Sequence, residues 1–154
     1  MHTLTIKRKD LTDMNEIDKI ILDSYQYLSS LGLGRFVYSG SYGLYLNGID
    51  LGREFHDLDI EFPDLSLEEK KALKFEFTPE IERVLHIRQD LKFEEKDWNG
   101  IKLLVFIPES IIAAKRHILN FLETPGIIMT ENRLSQKEKI LRDLGYLKEH
   151  YGLE

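Results

Sequence analysis

The segment from Phe36 to Phe62, FVYSGSYGLYLNGIDLGREFHDLDIEF, constrains the fold more than any other part of the chain. Its first apolar run stops at a Gly-Ser corner, Gly40-Ser41, and a stretch with helical spacing follows that corner. The run from Asp57 to Phe62 then alternates acidic and apolar residues, which is the pattern of a strand with one buried face. The segment therefore predicts a strand, a short helix and a second strand in direct succession, over residues 35–39, 41–47 and 57–62.

Helix-capping signals predict five further helices along the chain. They are predicted to begin at Asp13, Ser66, Thr78, Pro108 and Ser135. The first should end at the glycines in positions 32 and 34, because glycine readily takes the left-handed conformation that closes a helix. The fourth should end near residue 122 and the last near residue 150.

A hairpin is predicted in the second half of the chain. Two apolar runs, residues 91–97 and 101–107, flank Trp98-Asn99-Gly100, and Asn-Gly tolerates the positive φ angles of a tight turn. The order of elements predicts a mixed α/β (α+β) fold, in which a small mixed sheet is flanked by helices. Residues 1–154 are expected to form a single domain, with the C-terminal helices, about residues 109–150, packed on the sheet core.

Composition narrows the class of protein. The 154 residues are 42% apolar and 31% charged, which is typical of a globular domain, and the absence of cysteine excludes disulfides and thiolate metal sites. The formal net charge of -6 argues against broad electrostatic binding of nucleic acid. No apolar run is long enough to cross a bilayer and the N-terminus lacks a signal-peptide pattern, so we expect a cytoplasmic protein without membrane contact.

Asp57 and Asp59 are the first candidate functional residues. Two positions apart on a strand, their side chains share one face, while Leu58 and Ile60 face the core. Paired carboxylates of this kind can hold one or two hard cations such as Mg²⁺ or Mn²⁺. A solvated acidic face is the alternative, because Glu61 lies on the same predicted face.

The Gly40-Ser41 corner is a candidate phosphate-binding element. Backbone N–H groups at the start of a helix favour an anion, Gly40 permits a close approach of the backbone, and Ser41 adds a hydroxyl. Alone, Gly40 would more commonly be a simple turn glycine. Beside a metal-binding pair, however, the corner predicts a site for a triphosphate.

The order of these motifs resembles the nucleotidyltransferase superfamily, which includes DNA polymerase beta-like enzymes, and especially its minimal bacterial members of abortive-infection toxin systems. Gly40-Ser41-Tyr42-Gly43-Leu44 stands in place of their Gly-Gly-x-Ala-Leu, and residues 53–59 resemble their Arg-x-x-x-Asp-hydrophobic-Asp. Lys115 resembles a lysine in the helix after a later strand. Lys139 and Asp143 resemble a basic residue and an aspartate near the C-terminus.

The resemblance implies an enzyme with a nucleotidyltransferase-like fold that moves a nucleoside monophosphate from an NTP to a hydroxyl acceptor. It implies that Asp57 and Asp59 are catalytic and hold Mg²⁺ or Mn²⁺. It also implies that Gly40, Ser41, Arg53 and Lys115 are nucleotide- or phosphate-binding residues, although Arg53 could instead brace its loop. The acceptor is open between a protein, a transfer RNA and a small molecule.

One expected feature of active members, a third carboxylate on a later strand, is not identified. The strand over residues 101–107 contains no acid. The remaining candidates are Asp90, Glu94, Glu95, Asp97 and Glu109. This gap supports an alternative, a weak or inactive nucleotide- or partner-binding module on the same fold and related to toxin–antitoxin pairs. A purely structural domain is the third reading.

Overall fold

The computed structural model of the protein describes residues 15–83 and 91–154, which form a mixed α/β structure of the α+β class. Within those residues a five-stranded mixed sheet is flanked by five helices, as the sequence predicts. The helices are α1 (Glu16–Leu31), α2 (Gly40–Leu46), α3 (Leu67–Lys71), α4 (Pro108–Leu122) and α5 (Glu131–Tyr151). The strands are β1 (Val37–Tyr38), β2 (Leu58–Glu61), β3 (Ile81–Arg83), β4 (Phe93–Trp98) and β5 (Ile101–Phe106).

The strand order is β3-β2-β1-β5-β4. β2 runs parallel to β3, and β1 runs parallel to β5, whereas the β1–β2 and β4–β5 pairs are antiparallel. Neighbouring strands lie about 5 Å apart, so β5 and β4 are at least two strand spacings from β2. Only β1 and β3 can therefore place side chains directly beside those of β2.

The predicted strand–helix–strand unit is confirmed as β1, α2 and β2. Leu58 and Ile60 are completely buried, which agrees with the alternation along β2. The predicted hairpin is also confirmed, because Asn99 (φ 51°) and Gly100 (φ 86°) both take the left-handed conformation between β4 and β5. These elements carry strong local signals, which explains why the sequence predicts them.

Two of the predicted helix starts are wrong. Thr78-Pro79 precedes the strand β3 rather than a helix, because residues 81–83 pair in parallel with residues 58–60. Ser135 lies inside α5, which begins earlier, where the Thr130 side chain accepts a hydrogen bond from the Arg133 backbone. The predicted start at Asp13 lies outside the described residues, and α1 begins at the cap Asn15.

The apolar core forms on both faces of the sheet. Tyr38 packs with residues of α1 in one cluster, and the adjacent Val37 packs with residues of α4 and α5 in the other, since successive strand residues point to opposite faces. Helices α4 and α5 thus cover the sheet face that carries Asp59. In residues 15–83 and 91–154, no helix is long and apolar enough to cross a membrane.

Candidate functional site

A cleft of about 650 Å³ lies between the β1–α2 corner, the start of β2 and the helices α4 and α5. The six residues that the sequence and the resemblance single out as site residues all line this one cleft. They are Gly40, Ser41, Arg53, Asp57, Asp59 and Lys115. The fold therefore brings together residues that are up to 75 positions apart in the sequence.

Three carboxylates face the cleft from two adjacent strands. Asp57 immediately precedes β2 and Asp59 lies within it, while Glu82 on β3 is the direct neighbour of Asp59 in the parallel register. The Glu82 carboxyl lies near that of Asp57, and burial and the negative charge of Asp57 together raise the pKa of Glu82. Glu82 is the functional candidate that the sequence analysis did not find.

The electrostatics of this group favour protonation or a cation. Burial raises the pKa of Asp59 to about 7, and the negative charges of Glu82 and Asp57 add to that rise, while Lys115 and Lys139 oppose it. The pKa of Glu82 is also raised, first by burial and then by the charge and hydrogen bond of Asp57. The charges of Asp59 and Glu82 are thus incompletely neutralised by the surrounding side chains.

The acids that the sequence analysis named as candidates for the third carboxylate do not line the cleft where the structure describes them. Asp97 pairs with Lys102 at the exposed hairpin, and Glu94 pairs with Lys96. Glu95 on β4 and Glu109 on α4 are exposed and do not line the cleft, whereas Asp90 lies outside the described residues. The reason is the strand order, which separates β4 and β5 from β2 by the strand β1.

The acidic face of β2 is not the solvated surface that the sequence analysis considered as the alternative to a metal site. Glu61 is 6% exposed and accepts a hydrogen bond from the backbone N–H of Phe62. Its carboxylate forms a 2.6 Å ion pair with Lys70, whose side chain is also buried. Glu61 therefore serves the structure, and only Asp57 and Asp59 of this row face the cleft.

Asp143 on α5 is buried beside the cleft and connects α5 to the Arg53 loop and to α4. Its two oxygens accept hydrogen bonds from Nε and Nη2 of Arg53, at 2.8 and 2.7 Å, and Lys115 Nζ lies at 3.4 Å. Arg53 Nη2 also donates to Ser41 Oγ at 3.0 Å. Although burial acts in the opposite direction, the hydrogen bond from Arg53 and the charges of Lys115 and Arg53 lower the pKa of Asp143.

Position 40 requires glycine for two reasons, its backbone conformation and its close contact with Asp59. Its φ is 60°, in the left-handed region. A Cβ atom built at this position would overlap Oδ2 of Asp59. The backbone N–H of Ser39 donates to the carbonyl oxygen of Asp59 at 2.9 Å, so the corner is fixed directly against β2.

Lys139 is a further cation in the cleft. It lines the wall formed by α5, and its charge lowers the pKa values of both Asp59 and Glu82. Among the described side chains no carboxylate lies within ion-pair distance of it. Arg53 and Lys115, in contrast, both contact Asp143, so Lys139 is the cleft cation least committed to a protein partner.

The donor set of the cleft fits a hard divalent cation. Carboxylate oxygens are the ligands that Mg²⁺ prefers, and a cation would relieve the repulsion that raises the pKa values of Asp59 and Glu82. In the side-chain positions of residues 15–83 and 91–154, no three Asp, Glu or His groups already surround a common point. The pair Asp57 and Asp59, open to the cleft, is therefore the candidate metal-binding element.

Comparisons with protein-family models, with curated proteins and with solved structures find no match to the chain. The functional interpretation consequently depends on the geometry and charges of the cleft itself.

Proposed function

We propose that the protein is a metal-dependent nucleotidyltransferase, which moves a nucleoside monophosphate from an NTP to a hydroxyl group of an acceptor. One observation carries the proposal: three carboxylates, Asp57, Asp59 and Glu82, face Lys115 and Lys139 across a single cleft. Grouped acids opposite grouped cations suit a substrate that is itself a metal–polyphosphate complex.

Asp57 and Asp59 are the residues that would hold Mg²⁺ or Mn²⁺. The cation, when bound, supplies electrostatic stabilisation of the charge on the transferring phosphate. Binding must displace the proton that Asp59 retains up to about pH 7, so metal affinity should rise with pH through that range. Gly40 allows the corner to lie against this carboxylate, because any side chain there would occupy its position.

The phosphates would lie between the Gly40-Ser41 corner and the cations of α4 and α5. Lys115 and Lys139 supply positive charge, and the first backbone N–H groups of α2 have no partners within the helix. Arg53 has a different role in this proposal. Four of its five N–H donors are engaged by Asp143, by the carbonyl of Glu54 and by Ser41, so its main role is to orient the Ser41 hydroxyl.

Glu82 is the proposed general base. Its raised pKa makes it a stronger base than an ordinary glutamate, and it faces the same cleft as the proposed phosphate site. A carboxylate oxygen of Glu82 would accept the proton of the acceptor hydroxyl as the hydroxyl oxygen forms a bond to the α-phosphorus. The bond between the α-phosphorus and the bridging oxygen then breaks, and pyrophosphate leaves with the electron pair.

The acceptor in this proposal is a protein, a transfer RNA or a small molecule. The reaction would take place in the cytoplasm, where NTPs and Mg²⁺ are available.

The alternative is a nucleotide- or partner-binding module without turnover, and the missing third acid was the reason to consider it. Glu82 supplies a candidate for that acid, so the active enzyme is the better supported reading. Tight NTP binding without transfer to any acceptor, under either metal, would favour the module.

Calorimetric titration with each NTP, in the presence of Mg²⁺ or Mn²⁺, tests the proposal. The unmodified chain should bind at least one NTP only when metal is present. Asp57→Asn/Asp59→Asn should weaken that binding about 100-fold or more, because it replaces two anionic metal ligands with neutral amides. Asp23→Asn, at an exposed aspartate of α1, is the matched control and should bind as the unmodified chain does. Equal metal-dependent binding by the double variant would contradict the proposal.

A further inference from the structure

One face of α5 lines the cleft over about three helical turns. Residues 132, 136, 139 and 143 are spaced by four, three and four positions, which places them in a row on one side of a helix, and all four line the cleft. The row changes in character along its length: an aspartate and a lysine at positions 143 and 139 are followed by two amides, Gln136 and Asn132.

The two ends of this row lie far apart. Asp143 contacts Arg53 and Lys115 at the end where the phosphates are proposed to bind. Asn132 precedes Asp143 by eleven residues, so the two lie about 16 Å apart along the helix axis at about 1.5 Å per residue. Gln136 lies about 10 Å from Asp143 by the same measure. From Lys139, which is proposed to contact the phosphates, Gln136 is about one helical turn away and Asn132 is about two turns, about 10 Å. The amides therefore extend the cleft beyond the proposed phosphate site.

The part of the cleft beyond the proposed phosphate site has the chemistry of a base-binding pocket. Asn132 and Gln136 are exposed, and within the described parts of the chain neither side-chain amide forms a hydrogen bond. Each amide offers both donors and an acceptor, which match the polar edge of a nucleobase. Ile118 of α4 and Ile140 of α5 line the same cleft and supply apolar contact for a ring.

We infer that Asn132 and Gln136 form the nucleobase-recognition subsite of the cleft and determine which NTP is bound. This inference rests on the proposed function. It makes the amides of α5 specificity-determining residues, whereas Lys139 and the Gly40-Ser41 corner act on the phosphates common to all NTPs. An acceptor subsite at the same amides is the competing reading, and it predicts no effect on NTP affinity.

The test compares ligands with and without a base. The full chain is titrated with each NTP and with inorganic tripolyphosphate, in Mg²⁺, as the unmodified protein and as Asn132→Ala and Gln136→Ala. Each substitution should weaken the preferred NTP about tenfold, the effect of losing one hydrogen bond, and should narrow the affinity differences among the four NTPs. Affinity for tripolyphosphate should not change.

Asn120→Ala is the matched control, because Asn120 is an exposed amide of α4 that lines a separate groove. It should leave every affinity unchanged. If Asn132→Ala and Gln136→Ala bind NTPs as the unmodified chain does, or if they weaken tripolyphosphate equally, the inference is wrong while the proposed function stands. If the unmodified chain binds no NTP with either metal, the proposed function fails, and the inference fails with it.

Discussion

Asp59 and Glu61 lie two residues apart on β2 and point to the same side of the sheet, yet their surroundings are opposite. Glu61 has a buried lysine at 2.6 Å and a backbone N–H donor. Asp59 faces Glu82 and Asp57, and in the described part of the protein no group donates a hydrogen bond to its carboxylate. One acid has its charge compensated by the fold, and the other does not.

This difference separates structural from functional acids on one strand. A buried carboxylate with a cation partner contributes to holding α3 against β2 through Lys70. A carboxylate among other carboxylates costs stability, and such strained arrangements concentrate at functional sites. Asp59 lines the cleft, where an external cation can provide what Lys70 provides for Glu61.

The largest expected effect comes from breaking the compensated pair. Lys70→Met should lower the free energy of unfolding by about 3–5 kcal/mol, because it leaves the buried Glu61 charge unpaired. Urea denaturation measures the loss, and Lys74→Met, at an exposed lysine, is the control. Lys70→Met/Glu61→Leu should recover most of the stability. A loss below about 1 kcal/mol for the single variant would show that the pair does not compensate Glu61.

The next effect tests how closely the corner is packed on Asp59. Gly48→Ala should cost about 1–2 kcal/mol, because Gly48 has φ 80° but open space around a Cβ atom. Gly40→Ala should cost about 1 kcal/mol more, since the added Cβ must displace the Asp59 carboxylate, and it should also abolish metal-dependent NTP binding. Urea denaturation and calorimetry give the two readouts. If the two variants lose the same stability and bind NTP equally, the proposed close packing of Gly40 on Asp59 is wrong.

The sequence predicted the β1–α2–β2 unit and the β4–β5 hairpin because their signals are local. The alternation of residues 57–62 and the glycines at the turns depend only on near neighbours. The β1–α2–β2 unit brings Asp57, Asp59 and Gly40 together, so this part of the candidate site could be predicted from the sequence.

The third carboxylate was not accessible, for a physical reason. Glu82 reaches the cleft only because β3 pairs in parallel with β2, and nothing local to Ile81-Glu82-Arg83 specifies that partner. Proline at position 79 fits the start of a helix as well as the residue before a strand. The contact between Arg53 and Asp143 spans 90 residues and is likewise set by the packing of α5, not by its sequence.

A smaller effect on stability is expected at Asp59, where the charge of the carboxylate destabilises the fold instead of stabilising it. The pKa of Asp59 is raised in the folded protein, so the folded state holds a proton that the unfolded state releases from about pH 4 upward. Stability should fall as pH rises through this window to about pH 7, and the cost above it should be at most about 4 kcal/mol.

Asp59→Asn removes this cost without changing the size of the side chain. Without metal, the variant should be about 1–3 kcal/mol more stable than the unmodified chain near pH 8, and the gain should vanish near pH 4. Urea denaturation across this pH range measures both values. Glu61→Gln should instead destabilise the protein near pH 8, because it removes the charge that Lys70 requires. If both substitutions stabilise the protein, the two acids do not differ in the proposed way.

The smallest effect concerns the cation that partly compensates Asp59 across the cleft. Lys139→Met should weaken binding of tripolyphosphate about tenfold, which is the scale of one charge-assisted contact, while changing the free energy of unfolding by less than about 0.5 kcal/mol. It should also raise the pKa values of Asp59 and Glu82 further, because the charge of Lys139 lowers both. Metal binding should then require a higher pH.

Lys137→Met is the matched control on the same helix. Lys137 is 30% exposed, pairs with Glu123 at 3.6 Å and does not line the cleft. Calorimetry with tripolyphosphate, and Mn²⁺ binding measured from about pH 6 to pH 8, should distinguish the two lysines. If they behave alike, Lys139 does not bind phosphate, and Lys115 is the remaining cleft lysine that could do so. The partial compensation of Asp59 across the cleft would then come from Lys115, while the contrast with Glu61 would still rest on Lys70 at 2.6 Å from Glu61 and on the acids beside Asp59.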